Sequence, residues 1–182
     1  FINSICYSQS ILRDKDYYTS VFSGGIRIGH RTYNENLTSG NQDGHFTYGF
    51  NLEANLKLYK HFYTAIGFEE SYYSEAGGNS ITGFYLQPSI ATNLFNGSST
   101  FFGGVRGDFL IDGRFWGYGI EPFVRLQYNF LNNACVGYHF GVQRFQGDRV
   151  RVGGSPAGLP PPAEFAGFNF ISHLYFGIRL NK

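Results

Sequence analysis

Between Phe46 and Leu58 every second residue is apolar or aromatic: Phe46, Tyr48, Phe50, Leu52, Ala54, Leu56 and Leu58. The residues between them, Thr47, Gly49, Asn51, Glu53, Asn55 and Lys57, are small, polar or charged. Side chains of a β-strand alternate between faces, so this segment is a ribbon with one apolar and one polar side. The same rhythm recurs over residues 18–30, 62–73, 81–95, 100–111, 115–130, 134–146 and 166–180, with no helical period between. Eight ribbons in series predict an all-β fold, an eight-stranded antiparallel up-and-down barrel over 18–182. Residues 1–17 lack the pattern and are expected to form a periplasmic tail, a plug or an extra strand segment.

Most of these strands match or exceed the roughly 9–11 residues that a tilted strand needs to cross a bilayer. No apolar run approaches the 18 or so residues of a transmembrane helix. A closed barrel is then the remaining way for this chain to span a membrane. Composition agrees: charged residues make up only 15% and aromatics reach 19%, too aromatic for a disordered chain. A net charge of +1 with no Lys/Arg run gives no case for nucleic acid as a partner. The chain contains no methionine, even at position 1, which reads as a processed or trimmed product, and no signal peptide is visible, as expected of a mature exported protein.

The connections alternate in length. Tyr59-Lys60-His61, Asn96-Gly97 and Leu131-Asn132-Asn133 are tight links, whereas 31–45, 74–79 and 147–165 are long and polar. Asp112-Gly113 is the exception, a short link on the long-loop side. Short turns at one end and loops at the other is the layout of outer-membrane barrels. It predicts periplasmic termini and external loops. Pro88 and Pro122 fall inside strands, where each must remove a ladder hydrogen bond and is expected to mark a bulge or bend.

The two faces decide what the barrel meets. One carries Phe22, Ile26, Ile66, Phe84, Leu86, Val105, Ile120, Val124, Phe140, Phe170 and Leu174. The other is expected to be small and polar, with Arg27, Glu53, Lys57, Glu69, Arg106, Asp108, Glu121, Arg125 and Arg179 joined by Gln87, Gln127, Gln143, His139 and His173. Eight strands leave an interior only wide enough for side chains. Mixed charges can pair there, whereas an arginine on the lipid side costs about 2–4 kcal/mol at the midplane. The reading is therefore apolar out, polar in. Trp116, Tyr118, Tyr72 and His30 are expected at one headgroup level, and Tyr59, Tyr128 and Phe130 at the other.

On this pattern the chain resembles the small eight-stranded outer-membrane barrel proteins of the OmpX and OmpA-transmembrane-domain type. It looks most like the outer-membrane β-barrel family common in Bacteroidetes. The resemblance is architectural and rests on Ile120-Glu121-Pro122-Phe123-Val124 through Phe130-Leu131-Asn132-Asn133, and on the closing His173-Leu174-Tyr175-Phe176-Gly177-Ile178-Arg179-Leu180. Such barrels usually end on an aromatic residue; this chain ends Leu180-Asn181-Lys182.

Candidate chemistry is sparse. Arg106-Gly107-Asp108 spells an integrin-type tripeptide, but its charged members share the interior face, where a salt-bridge network is the expectation. Ser172 and His173 are sequence neighbours and point to opposite faces, which argues against a lipid A deacylase-like Ser–His pair. The five histidines do not group as a metal site, and no cofactor is expected. Cys6 and Cys135 are expected at the same end of the barrel, so a disulfide between them is one expectation. The whole reads as a non-enzymatic integral outer-membrane barrel. It is expected to meet outer-membrane lipid or lipopolysaccharide. It stands alone as a structural or surface-binding protein, or serves as a subunit of a larger outer-membrane assembly, secretion or uptake complex. A lipid-modifying enzyme and a small pore are the alternatives.

Overall fold

The computed structural model describes residues 21–34, 43–73, 80–95, 98–112, 115–131, 134–149 and 164–179. They form eight strands: β1 (Val21–Asn34), β2 (Asp43–Tyr59), β3 (Phe62–Tyr73), β4 (Ser80–Leu94), β5 (Ser99–Asp112), β6 (Phe115–Leu131), β7 (Ala134–Arg149) and β8 (Glu164–Arg179). Every strand pairs antiparallel with its sequence neighbour, and β1 pairs with β8, which closes the barrel. Closure leaves no sheet edge, so every strand has partners on both sides.

Four strands outrun the expected ends. β1 continues to Asn34 and β2 starts at Asp43, with Tyr33 opposite Asp43. β7 continues to Arg149 and β8 starts at Glu164, with Asp148 opposite Glu164. The connections shrink to 35–42 and 150–163. Apolar alternation marks where a strand has a greasy side, but ladder hydrogen bonds need none, so pairing runs on into polar sequence. The 35–42, 74–79 and 150–163 connections share one end of the barrel with the short 113–114 link, hereafter the loop end. The opposite, turn end is closed by tight reversals. At 59–62 a register shift between Lys57 and Tyr59 precedes Lys60, whose φ of 36° is left-handed. Phe95 also has positive φ, 49°, and its carbonyl accepts bonds from the Ser98 N–H (3.3 Å) and hydroxyl (2.8 Å). Asn96-Gly97 and Asn132-Asn133 lie outside the described residues.

The prolines interrupt the ladder without a bulge. Between β4 and β5 pairing stops at Leu86↔Gly107 and resumes in the same register at Ser89↔Gly104. Between β6 and β7 it stops at Ile120↔Arg144 and resumes at Phe123↔Gly141. Each proline still pairs on its other side, Pro88 with Thr64 and Pro122 with Val105. A missing N–H deletes bonds toward one neighbour only, so no extra residue is inserted and the expected bulge does not form.

The faces separate by chemistry. Ile26 (67% exposed), Ile66, Phe84, Leu86, Val105, Ile120, Phe140, Phe170 and Leu174 all point outward. Arg27, Glu53, Glu69, Arg106, Asp108, Glu121 and Arg125 are buried in the lumen. The expectation of a uniformly small interior is corrected. Tyr63, Tyr85, Phe102, Phe123, Phe145 and Tyr175 are buried there as well. Inward glycines make the room. A Cβ on Gly67 would overlap the Tyr85 ring on the next strand, and one on Gly137 would overlap Tyr175. Each tyrosine lies across its glycine partner.

Candidate functional site: the ionic lumen

Alternation turns positions 27, 53, 69, 106, 108, 121 and 125 inward, and barrel closure brings five strands' charges to one core. Two clusters result. Arg125 on β6 meets Glu53 on β2 through two hydrogen bonds, Nη1 to Oε1 at 2.6 Å and Nη2 to Oε2 at 2.7 Å. This fork-to-fork geometry is the strongest form of the pair. The Tyr85 hydroxyl also donates to Glu53, at 3.1 Å. In the second cluster Glu69 bridges Arg27 and Arg106, one carboxylate oxygen to each. Arg106 also donates to Asp108 (2.6 Å) and lies 3.6 Å from Glu121. Gln143 donates to the second oxygen of Asp108 at 2.8 Å. His139 Nε2 bonds Glu121 at 2.7 Å.

Aromatic rings cover the cations. The Arg106 guanidinium stands 3.7 Å from the Tyr85 ring centre, and Arg125 4.8 Å from that of Tyr175. Phe123, His139 and His173 stack in a column, with centroids 4.8 and 4.2 Å apart. Above and below, apolar side chains fill the lumen together with polar ones such as Thr47 and Asn169 toward the loop end and Asn55 and Gln127 toward the turn end. Ile81, Leu110 and Phe145 are buried toward the loop end, and Val21, Tyr63, Ala91, Phe102 and Cys135 toward the turn end. The ion pairs thus occupy a middle layer with buried side chains on both sides. Mixed charges at this depth are tolerated because each carboxylate meets a guanidinium or an imidazole; a lone buried charge costs several kcal/mol.

The remaining sequence candidates fall as follows. Lys57 is half-buried near the turn end, and Arg179 pairs with Val21 in the ladder. The Arg179 side chain and Cys6 lie outside the described residues. Cys135 is buried one residue into β7 at the turn end. Arg106 and Asp108 of the integrin-type tripeptide are buried and bonded to each other, so that reading has no accessible motif to rest on. Ser172 faces outward and bonds the Tyr138 hydroxyl at 2.6 Å, while His173 is buried in the lumen. No group of three metal-ligating side chains occurs among the described residues. His139 and His173 lie face to face, so their ring nitrogens do not converge on a common point.

Sequence reasoning missed the two tyrosines that underlie the arginines. The signal was present as Tyr85 opposite Gly67 and Tyr175 opposite Gly137. It is readable only once the register is known. It also missed two ionisable residues on the outer wall, Glu70 and Arg144.

Solved structures with this arrangement of eight strands exist. Neisserial surface protein A superposes with a TM-score of 0.54 at 10% identity, over 87% of this chain and 97% of that one. The outer membrane protein OprG from Pseudomonas aeruginosa gives 0.51 at 10% identity, over 90% and 96%. The fold is that of the small eight-stranded outer-membrane barrels. No protein-family model matches the chain, and no curated protein matches it in sequence. The Bacteroidetes-type family finds no support beyond the sequence resemblance. In this chain the barrel is filled by two guanidinium–carboxylate clusters and a histidine stack.

Proposed function

We propose that this chain is a non-enzymatic integral barrel of the bacterial outer membrane whose contacts are made by its loop end and its outer wall. The observation that carries the reading is the pairing of an apolar exterior with a filled interior. Outward residues such as Ile26, Ile66, Ile90 and Ile178 are more than half exposed to the surroundings, an arrangement that suits lipid and not water. The lumen holds paired ions between layers of buried side chains, which supports a plug and speaks against a pore. Among the described residues no serine or threonine hydroxyl is hydrogen-bonded to a histidine. The turn end and the termini face the periplasm in this reading, and the three longer connections face outward.

A stand-alone surface-binding role fits best, because the wall is apolar around its whole circumference. As a subunit of a larger complex, the chain would turn part of that wall to a partner barrel. Mild detergent extraction from native membranes followed by affinity purification separates the two. A free barrel runs alone at its own mass, and a subunit brings a larger partner in fixed ratio. Planar-bilayer recording of the purified protein is expected to show no stepwise conductance. Steady channel openings would replace the plug with a pore.

A further inference from the structure

The outer wall changes chemistry before the strands end. On β7 the outward residues Val136, Tyr138, Phe140 and Val142 are apolar or aromatic, and the next two, Arg144 and Gln146, are polar. On β3, Ile66 and Phe68 give way to Glu70; on β1, Ile26 and Ile28 give way to His30. All these switches lie toward the loop end. There Trp116, Tyr118 and Tyr72 also face outward, exposed by 44%, 52% and 37%. Aromatic and ionisable side chains meeting at one height mark a headgroup boundary.

Two of the ionisable wall residues, Glu70 and Arg144, are treated differently. Glu70 accepts a 2.7 Å hydrogen bond from Thr82 on the neighbouring strand. Arg144, four strands away around the eight-stranded barrel, is exposed and forms no ion pair among the described residues. Its ladder partners are Ile120 and Phe168, and Tyr118 stands opposite Gln146 one outward position further on. Arg144 thus offers a guanidinium to the surroundings with no carboxylate bonded to it among the described residues, and Tyr118 and Gln146 fill the next outward positions toward the loop end. Planar bidentate donors match phosphate oxygens.

We infer that Arg144, with Tyr118 and Gln146, forms a contact site for the phosphate of a lipid headgroup on the β6–β7 wall, and that the Glu70 side of the barrel has none. This rests on the membrane-spanning reading above. A single Arg near a membrane surface favours anionic lipid by about fivefold.

The test uses the full chain in phosphatidylcholine vesicles, with Trp116→Phe to remove the only tryptophan and Ile120→Trp to place a reporter beside Arg144. A second reporter, Phe68→Trp in the Trp116→Phe background, sits on the opposite wall. Lipids with brominated chains quench whichever reporter they touch. Brominated phosphatidic acid is expected to associate about fivefold more than brominated phosphatidylcholine at position 120, and equally at position 68. Arg144→Gln should abolish the preference and Arg144→Lys should keep most of it. Equal quenching by both lipids at position 120, or a preference that survives Arg144→Gln, overturns the site. Quenching of neither reporter by any brominated lipid would instead overturn the membrane-spanning reading, and the site with it.

Discussion

Breaking one member of the Glu53–Arg125 pair should be far worse than removing both. Both side chains are at most 2% exposed and share two hydrogen bonds of 2.6 and 2.7 Å. Arg125→Met leaves Glu53 as a buried carboxylate with only the Tyr85 hydroxyl as donor. Glu53→Met leaves Arg125 over the Tyr175 ring with no counter-charge in its cluster. Stranding a buried ion costs about 3–5 kcal/mol, so each single variant should lose stability on that scale. The double variant strands no ion. It takes the acceptor from the Tyr85 hydroxyl, which keeps only the 3.4 Å bond it accepts from Asn51, and this adds about 1–3 kcal/mol, while two apolar chains replace two desolvated charges at neutral or favourable cost. The expected double loss is therefore about 1–3 kcal/mol, well under the sum of the singles, with a coupling of several kcal/mol. Urea unfolding in lipid vesicles, read by the mobility difference between folded and heated protein on gels, gives the three values. If the double variant loses the sum of the two singles to within about 0.5 kcal/mol, the pair is not a unit and the reasoning fails.

Four further outcomes follow from other parts of the molecule. Gly137→Ala should cost about 1–3 kcal/mol by overpacking against Tyr175, and the same substitution made in a Tyr175→Leu background should cost little beyond what Tyr175→Leu loses alone in the same assay. Leu86→Arg, on the mid-wall, should destabilise by about 2–4 kcal/mol in vesicles, whereas Thr82→Arg near the loop end should cost about 1 kcal/mol or less; equal losses would contradict the assigned depth. With Cys6 and Cys135 both replaced by serine, a cysteine put at the exposed Lys60 should resist an impermeant maleimide in intact cells and react once the outer membrane is permeabilised. Labelling in intact cells would reverse the orientation. For the unmodified chain, non-reducing intact mass should read two hydrogens light if Cys6 and Cys135 are joined; two alkylatable thiols would remove the disulfide.

The architecture was legible because one physical signal repeats. A period of two, eight times over, fixes strand, face and barrel together, and it placed Arg27, Glu53, Glu69, Arg106, Asp108, Glu121 and Arg125 on the buried side. Strand ends were harder. The ladder from Tyr33↔Asp43 and Asp148↔Glu164 carries no apolar alternation to read. Who pairs with whom inside the lumen was not legible at all. Glu53 and Arg125 are 72 residues apart, and their meeting depends on register summed around four strand pairs. The inward aromatics were misjudged for a related reason. Phe102 and Phe123 look like lipid-facing residues by composition, and only parity with Arg106 and Arg125 along their strands turns them inward. Arg144 and Glu70 escaped notice because they break the outward pattern singly, near its boundary.

The division between lipid-facing and lumen-facing side chains is tested most directly by the methyl groups, which need no substitution. In nanodiscs of protonated lipid, with the protein deuterated except at Ile, Leu and Val methyls, magnetisation transfer from acyl chains should reach Ile26, Ile66, Leu86, Ile120 and Leu174. It should not reach Val21, Ile81, Leu110 or Ile171, which are at most 2% exposed within the barrel. Acyl-chain contacts at the second set, or water contacts in place of lipid at the first, would contradict the account at its root.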